Sequence, residues 1–587
     1  MVDLAGNMQP GRAKSGWARI LSRLRQTVAL SRAPLSPAKS MAVAAVLSAA
    51  MATSFWRYEG LLSNVTFTAA TTLMLGALIV ALTRRVMFAA VAMAVIVVII
   101  NGVASAKLNT LGMVLHAYDV VFYLGSWSTV TYLWFAARGY VVAFGLGVAL
   151  ATALAASSWR LDGTRARRSS ALLVGALALA VTAYTGLTKP DRRHTQFYWN
   201  ALYVSSFYAS WAETAETLWR GQLVESAAAS TAPPFAVSDR CQPVQKAPHI
   251  ILIHQESIVQ PGLFPTLAYD RTVDDLFRSD DRQIHKMRVE TYGGASWLTE
   301  FSILTGLSTH SFGGMRPFVQ SLLAGKVRDT LPEALARCGY RNVLFYPMLK
   351  NFVSNARFYD AIGLKEIFDM KAQGLKSELE RDRVYYNNAL NEMERHIKAS
   401  DKPLFTYIQT MSAHWPYDWT YEPELKVSGG GPGTDPEMHE YLRRVSIAKL
   451  DYDELIVNLK RRFPGEPILV MHYGDHHPMA TRKLLGFGED TDVEEVTIGP
   501  QSIGYTTYYT VQAFNHTTPP LPPQDIVDVP YLGTILLQQA GIPLSDPYRE
   551  RLRLMQVCDG HYHACSRRSE VLAFHRRLID SKLITSR

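Results

Sequence analysis

Before residue 190 the chain is dominated by five long apolar stretches, Ser40–Trp56, Leu61–Leu82, Val86–Ala104, Tyr140–Ser157 and Ser170–Leu187, separated by short polar or basic segments. Each is close to the ~20 residues a helix needs to cross the hydrocarbon core of a bilayer. Lipid offers no partner for backbone N–H and C=O groups, so these stretches are predicted to be helices. Buried core helices of a soluble protein are the alternative, but five such runs in one third of a chain are rare there. Tyr118–Ala137 is also apolar and aromatic, with Asp119 as its only charge. A sixth span would leave only Arg138-Gly139 as a turn, so this segment is expected to be interfacial or re-entrant, its Tyr and Trp residues suiting the headgroup layer.

From Pro248 onward the pattern changes. Short β-rich runs, Ile250–His254, Asn342–Tyr346, Leu404–Gln409, Ile468–His472 and Tyr508–Ala513, alternate with amphipathic stretches at Val327–Arg337, Asn387–Ile397 and Glu440–Phe463. Strand–helix alternation predicts an α/β domain with a mostly parallel sheet. In such sheets ligands bind beyond the C-terminal strand ends. The expected organisation is a transmembrane domain over 1–187 and a juxtamembrane linker over 188–244. A catalytic domain over 245–547 and a C-terminal extension over 548–587 follow. Within that segment, Phe197–Leu218 is expected to be a helix lying on the membrane surface and Ala227–Asp239 reads as a linker.

Charge then orients the chain. The net charge of +9 comes from 60 basic and 51 acidic residues. Much of the excess is placed as in membrane proteins, not as in a nucleic-acid-binding face. Arg12, Lys14, Arg19, Arg23, Arg25, Arg32 and Lys39 precede the first span. Arg84-Arg85 follow the second, and Arg160, Arg165, Arg167 and Arg168 follow the fourth. With five spans these lie on one side, which places the N-terminus in the cytoplasm and the α/β domain outside it. All four cysteines, Cys241, Cys338, Cys558 and Cys565, fall in the outer part. An oxidising compartment allows two disulfides there, with Cys558–Cys565 the favoured local pair.

Three segments carry polar groups that ordinary strands and turns do not need. The first strand ends in His254-Gln255-Glu256-Ser257, and the fourth in His472-Tyr473-Gly474-Asp475-His476-His477-Pro478. Between them lies Gly293-Gly294-Ala295-Ser296-Trp297-Leu298-Thr299-Glu300-Phe301, a glycine-led turn into an apolar helix. Carboxylates and an imidazole at converging strand ends form a site for one divalent cation, and mixed O and N donors suit manganese or zinc. A serine at a helix N-terminus beside such a cation is a candidate nucleophile.

These motifs, with Ser412-Ala413-His414-Trp415-Pro416-Tyr417, resemble lipoteichoic acid synthase-type phosphoglycerol transferases of the alkaline phosphatase/sulfatase superfamily. The resemblance implies a sulfatase-like α/β domain behind a five-span anchor. It implies metal ligands at Glu256, Ser296, Asp475 and His476, with Ser296 as the catalytic nucleophile in a place the family often gives to threonine. Thr299 and Ser302 lie close enough to leave that register open. His414 matches a substrate-phosphate histidine, and Trp415 is expected to line the pocket with Trp297 and Tyr417. A family arginine falls on Asn355 here, with Arg357 two residues on as its candidate replacement.

The function so implied is transfer of a phospholipid-derived phosphoglycerol headgroup, from phosphatidylglycerol or phosphatidylethanolamine, to an envelope polysaccharide or glucan. The setting is a bacterial inner membrane, multi-pass, with the catalytic domain periplasmic or extracellular and no nucleic-acid partner. A phosphoethanolamine transferase shares the architecture and metal site. A sulfatase-type hydrolase is a further alternative, since Ser545-Asp546-Pro547-Tyr548-Arg549 fits the Ser-x-Pro-x-Arg signature, though at an unexpected place in the chain. A non-enzymatic receptor retaining the fold would lack a bound metal.

Overall fold

The structure is a computed structural model. It describes residues 33–59, 62–111, 115–123, 134, 138–188, 204–221, 223–237, 241, 246–350, 355–486 and 502–585. The basic segment before Arg32 and most of Tyr118–Ala137 therefore lie outside the described residues. The chain divides into two compact units, one of Met1–His116, Ala137–Arg193 and Ala201–Trp211, the other of Ala117–Ala136, His194–Asn200 and Ala212–Arg587.

Among the described residues of the first unit, five helices are long and apolar enough to cross a membrane: α1 Pro37–Tyr58, α2 Leu62–Thr83, α3 Val86–Leu111, α4 Arg138–Leu161 and α5 Arg168–Thr188. They match the five predicted stretches apart from Leu61, which lies outside the described residues, and extend them by a few residues. Large apolar side chains such as Leu73, Leu82, Leu146, Leu172 and Leu177 stand exposed on their outer faces. A contiguous apolar exterior of this kind suits lipid, not water. Buried carboxylates close the helix ends. Asp162 accepts from Phe88 N at 2.9 Å and Thr164 N at 2.7 Å. Glu59 accepts from Val204 N at 2.9 Å, capping α6 (Val204–Arg220), where a negative charge meets the positive end of the helix.

The second unit is built on an eight-stranded sheet, ordered β4-β3-β5-β1-β6-β7-β2-β8. The strands are β1 His249–Gln255, β2 His285–Arg288, β3 Arg341–Phe345, β4 Glu366–Phe368, β5 Leu404–Gln409, β6 Ile468–Gly474, β7 Thr506–Phe514 and β8 Ile526–Asp528. All neighbouring pairs are parallel except those of β7 with β6 and with β2. The five predicted runs are β1, β3, β5, β6 and β7. β1 is buried throughout, as expected for a strand covered on both faces. Its side chains alternate between two cores: Ile250 and Leu252 pack with Leu298 and Phe301, and Ile251 and Ile253 with Tyr386, Met393 and Tyr441. The first core includes α7 (Ser296–Thr305), the second α8 (Asp382–Ala399) and α9 (Pro436–Arg462).

Chain segments remote from the sheet are fastened to this unit. Disulfides join Cys241 to Cys338 and Cys558 to Cys565. The stretch that reads as a linker is bonded to this unit along its described part. Ala227 N donates to Leu572 O at 3.0 Å, and Phe235 N to Ser581 Oγ at 2.7 Å. The Phe235 ring packs on Phe574 and lies under the Arg577 guanidinium. Both partners belong to α10 (Arg568–Asp580). His575 of α10 is fully buried, with Nδ1 2.8 Å from Glu225 O and Nε2 2.9 Å from Tyr562 Oη. The Tyr118 ring, expected at a membrane interface, stacks on Phe318 within the core of this unit.

Candidate metal centre and nucleophile

β1 and β6 lie side by side in parallel register, with Gln255 opposite Gly474. The next residues, Glu256 and Asp475, therefore leave the sheet at the same level. Gly474 is required by space: a Cβ there would lie 2.0 Å from Ile258 O. Asp475 Oδ1 fastens the two turns together, accepting from Ser257 N at 2.7 Å and His476 N at 2.8 Å.

The third segment arrives through a strained turn. Gly293 has φ +72°, and a Cβ would meet Met479 Sδ at 2.5 Å. Ala295, directly before α7, is left-handed at φ +63° without being glycine. Such strain is held only where surrounding contacts over-determine it, and it gathers at functional sites. Here Thr291 Oγ1 donates to Gly294 O at 2.7 Å, and Gly293 N to His477 O at 2.9 Å. The turn delivers Ser296 at the first position of α7. Farther along, Glu290 locks the helix. It is buried and accepts from Ser302 Oγ at 3.2 Å, Ser308 Oγ at 2.5 Å and Thr309 N at 2.7 Å.

Ser296 Oγ donates to Glu256 Oε2 at 2.8 Å and lies 3.3 Å from His476 Nε2. His476 Nε2 is 3.4 Å from Glu256 Oε1 and 3.1 Å from Asp475 Oδ2. His254 Nε2 is likewise 3.1 Å from Asp475 Oδ2 and 3.7 Å from Glu256 Oε2. The four residues singled out from sequence, Glu256, Ser296, Asp475 and His476, thus meet. Thr299 and Ser302 do not compete with Ser296 in this arrangement: Thr299 Oγ1 donates to Asp475 O at 2.7 Å and Ser302 points to Glu290. His254 is the addition, joined with Glu256 and Asp475 in a buried group able to hold an ion. It is the next-to-last residue of β1, and Glu256 follows the strand's end.

These residues fit a divalent cation. Bonds of about 2.0–2.1 Å in tetrahedral geometry set ligand atoms about 3.3 Å apart, and the separations here cluster around that value. Asp475 Oδ2 is buried yet accepts no hydrogen bond, although two imidazole nitrogens lie near it. The electrostatics agree. Burial by itself would raise the pKa of Glu256, but the imidazoles of His254 and His476 hold it well below the ordinary carboxylate range. Burial opposes a charge on His476, yet Asp475 and Glu256 push its pKa up to about 9. The carboxylates thus demand positive charge at this point, a demand a bound cation would meet.

Behind the cluster, burial raises the pKa of Glu300, which accepts a hydrogen bond from Tyr359 Oη. Gln409 Nε2 donates to the same hydroxyl at 3.1 Å. At the front, His414 lies near enough for its charge to lower the Glu256 pKa. His414 Nδ1 sits 2.5 Å from Trp415 O, and Trp415 is 57% exposed. Arg444, fully buried, holds this loop through His414 O at 2.6 Å and Pro416 O at 2.8 Å. Its guanidinium lies over the Tyr417, Trp419 and Tyr421 rings. Trp297 Nε1 donates to Pro317 O at 3.0 Å, a packing contact. Arg357 is exposed on the helix Asn355–Ala361, which also carries the buried Tyr359. Ser545 donates to Asp329 Oδ2 at 2.7 Å at the start of the helix Asp546–Val557.

Residues 283–514 match the family model described as Sulfatase, and the α/β unit is sulfatase-like. An uncharacterized protein of Haemophilus influenzae is 22% identical over 320 residues, 52% of this chain and 55% of that protein. The chain thus spans about half the length of this curated relative. Among solved structures, the chain is similar to the Streptococcus pyogenes phosphoglycerol transferase GacH in complex with sn-glycerol-1-phosphate, at 18% identity and a TM-score of 0.45, covering 60% of this chain and 89% of that one. It is similar to the integral membrane lipooligosaccharide phosphoethanolamine transferase A of Neisseria meningitidis, at 14% identity and a TM-score of 0.48, covering 89% and 98%. The lipoteichoic acid synthase LtaP of Listeria monocytogenes is 18% identical with a TM-score of 0.38, covering 56% and 78%.

Proposed function

We propose that this chain is a membrane-anchored transferase that moves a phospholipid headgroup, phosphoglycerol in the first reading, onto a hydroxyl of an envelope glycan. The observation that carries this reading is the convergence of the Ser296 hydroxyl with Glu256, Asp475 and His476 at the C-terminal ends of neighbouring parallel strands. The site residues assigned from sequence keep their roles: Ser296 as nucleophile, Glu256, Asp475 and His476 with it as metal ligands, and His414, Trp415 and Arg357 as substrate contacts. A divalent cation bound there acts as a Lewis acid and favours the serine alkoxide. Manganese and zinc both suit the donors.

The reaction has two halves. Ser296 Oγ attacks phosphorus and its proton passes to solvent. An Oγ–P bond forms, the P–O bond to diacylglycerol breaks, and the departing oxygen takes a proton. An acceptor hydroxyl then displaces Oγ from phosphorus and the serine proton is restored. His414 has Nδ1 tied to Trp415 O, so Nε2 faces outward as a donor to phosphate oxygens when protonated. Five apolar helices would hold this chemistry beside the lipid donor, with the α/β unit on the periplasmic or outer face of a bacterial inner membrane.

The test is incubation of the purified chain with headgroup-labelled phosphatidylglycerol or phosphatidylethanolamine, followed by mass analysis of the Ser296 peptide. Phosphoglycerol on Ser296 supports the first reading. Phosphoethanolamine there selects the second headgroup, which the same geometry accommodates. Label that reaches diacylglycerol-free product without passing through Ser296 refutes the nucleophile.

A further inference from the structure

We infer that the connection between β5 and α9 carries a rigid acceptor platform at Trp415–Glu424, which takes a neutral, hydroxyl-rich glycan through the Trp415 and Trp419 rings and the Asp418 carboxylate. The inference rests on the proposed transferase function and deepens it by naming where, and by what chemistry, the acceptor is held.

Three observations carry it. The first is rigidity without regular structure. From Thr410 to Asp435 the chain forms no helix, and no strand beyond an isolated bridge at Gly430. Loops of this length within a compact domain are usually functional. Adjacent buried arginines of α9 hold its backbone. Arg444 donates to His414 O at 2.6 Å, Pro416 O at 2.8 Å and Trp419 O at 3.4 Å. Arg443 donates to Tyr421 O at 2.5 Å, Glu422 O at 2.7 Å and Leu425 O at 3.3 Å. Glu440 Oε1 completes the bracket, accepting from Arg444 Nε and from Tyr421 N, both at 2.8 Å. The loop is thus ordered before any ligand arrives, which removes an entropic cost of binding.

The second is what faces outward. Tyr417 and Tyr421 are buried beside the Arg444 guanidinium, whereas Trp415 is 57% and Trp419 44% exposed. Asp418, Thr420, Glu422 and Glu424, between and after them, are exposed too. A sugar ring stacks its C–H face on an indole, and its hydroxyls donate to carboxylates. The interleaved carboxylates argue against a bilayer surface, whose anionic headgroups attract aromatic segments rich in Lys and Arg. They repel an anionic polymer for the same reason.

The third is place. His414 opens the loop, and its charge lies close enough to act on Glu256. Tyr417 sits against Ser257, the residue after Glu256. A glycan lying on the indoles is therefore beside the site at which Ser296 is proposed to carry the headgroup.

The experiment is calorimetric binding of laminarihexaose, cellohexaose and maltohexaose, with polygalacturonate as an anionic comparison, to the full chain in detergent. Wild type, Trp419→Ala, Asp418→Asn and Trp219→Ala are compared, with circular dichroism reporting the fold and lipid-donor labelling of Ser296 measured in parallel. Wild type should bind at least one neutral hexaose and bind polygalacturonate more weakly. Trp419→Ala should weaken the neutral sugar by about 10-fold, and Asp418→Asn by about 5-fold. Trp219, an exposed indole outside this loop, should be replaceable by alanine without effect on binding. If no neutral hexaose binds, or if Trp419→Ala and Asp418→Asn bind as wild type does while Ser296 is still labelled, the platform is overturned and the transferase stands. Quenching of wild type by brominated lipid in proteoliposomes that disappears in Trp419→Phe makes this a membrane contact and also overturns it. If wild type binds a hexaose through Trp419 but is never labelled at Ser296, the platform stands and the transferase reading falls.

Discussion

The Ser296 hydroxyl donates to Glu256 Oε2 across 2.8 Å, although the two residues stand 40 positions apart and on different elements. One comes from a helix start and the other from a strand end, and the left-handed Ala295 sets the angle between them. The first prediction follows. Ser296→Ala should lower headgroup transfer by about 1,000-fold or more, as loss of a nucleophile does. Ser296→Thr should keep a measurable rate. Release of labelled diacylglycerol from membranes checks both, and full activity in the alanine variant would remove Ser296 from the mechanism.

Stripping the metal should abolish transfer and also lower stability, because the buried carboxylates of Glu256 and Asp475 would be left with only imidazoles to balance them. Thermal melting before and after chelation reads this, and re-addition of zinc or manganese should restore the original midpoint.

Acid should loosen the α/β unit. Burial lowers the His575 pKa from 6.5 to about 4. Glu225 O takes the Nδ1 proton, and Nε2 accepts from Tyr562 Oη. The unfolded chain therefore binds more protons than the folded one between these values. The contribution is complete above pH 6.5 and is lost as pH falls toward about 4, and it amounts to about 3 kcal/mol. Burial acts the same way on His249, also lowered to about 4. Melts at pH 7 and pH 5 test it. His575→Gln should melt lower at pH 7 but lose less on acidification.

Much of this architecture was readable in the residues, for physical reasons. Crossing lipid demands about 20 apolar residues, so the five spans stand out from the surrounding chain. β1, β5 and β6 are buried on both sides and read as unbroken apolar runs. By contrast, β2 is His285-Lys286-Met287-Arg288. It lies next to the edge strand β8, where Lys286 pairs with Asp525 and Arg288 with Asp528. Polar residues satisfied by such pairs hide a strand from any hydrophobic pattern. Residues 227–236 read as a linker because Ala, Ser and Pro dominate; what fixes them is hydrogen bonding of their backbone N–H groups to Leu572 O and Ser581 Oγ, which composition does not encode. At the site, Glu256, Asp475 and His476 announced themselves by strand-end placement, whereas His254 looked like part of the strand.

Glu290 should prove essential to the fold of α7. Its carboxylate serves donors from Ser302, Ser308 and Thr309. Glu290→Ala leaves those buried donors unsatisfied and should cost about 3–5 kcal/mol. Chemical denaturation measures the loss.

The two disulfides should contribute unequally. Cys241–Cys338 closes a separation of 97 residues and Cys558–Cys565 one of 7. On the loop-entropy model they are worth about 4.7 and about 2.5 kcal/mol. Denaturation of Cys241→Ser with Cys338→Ser, against Cys558→Ser with Cys565→Ser, should show the larger loss in the first pair.

The register of β1 against β6 also sets an order of events during synthesis. Ser257 N finds Asp475 Oδ1 across 218 residues of chain. A nascent chain that has reached only as far as α7 carries Glu256 and Ser296 but neither Asp475 nor His476. On the proposed function, such an unfinished chain would hold only part of its site.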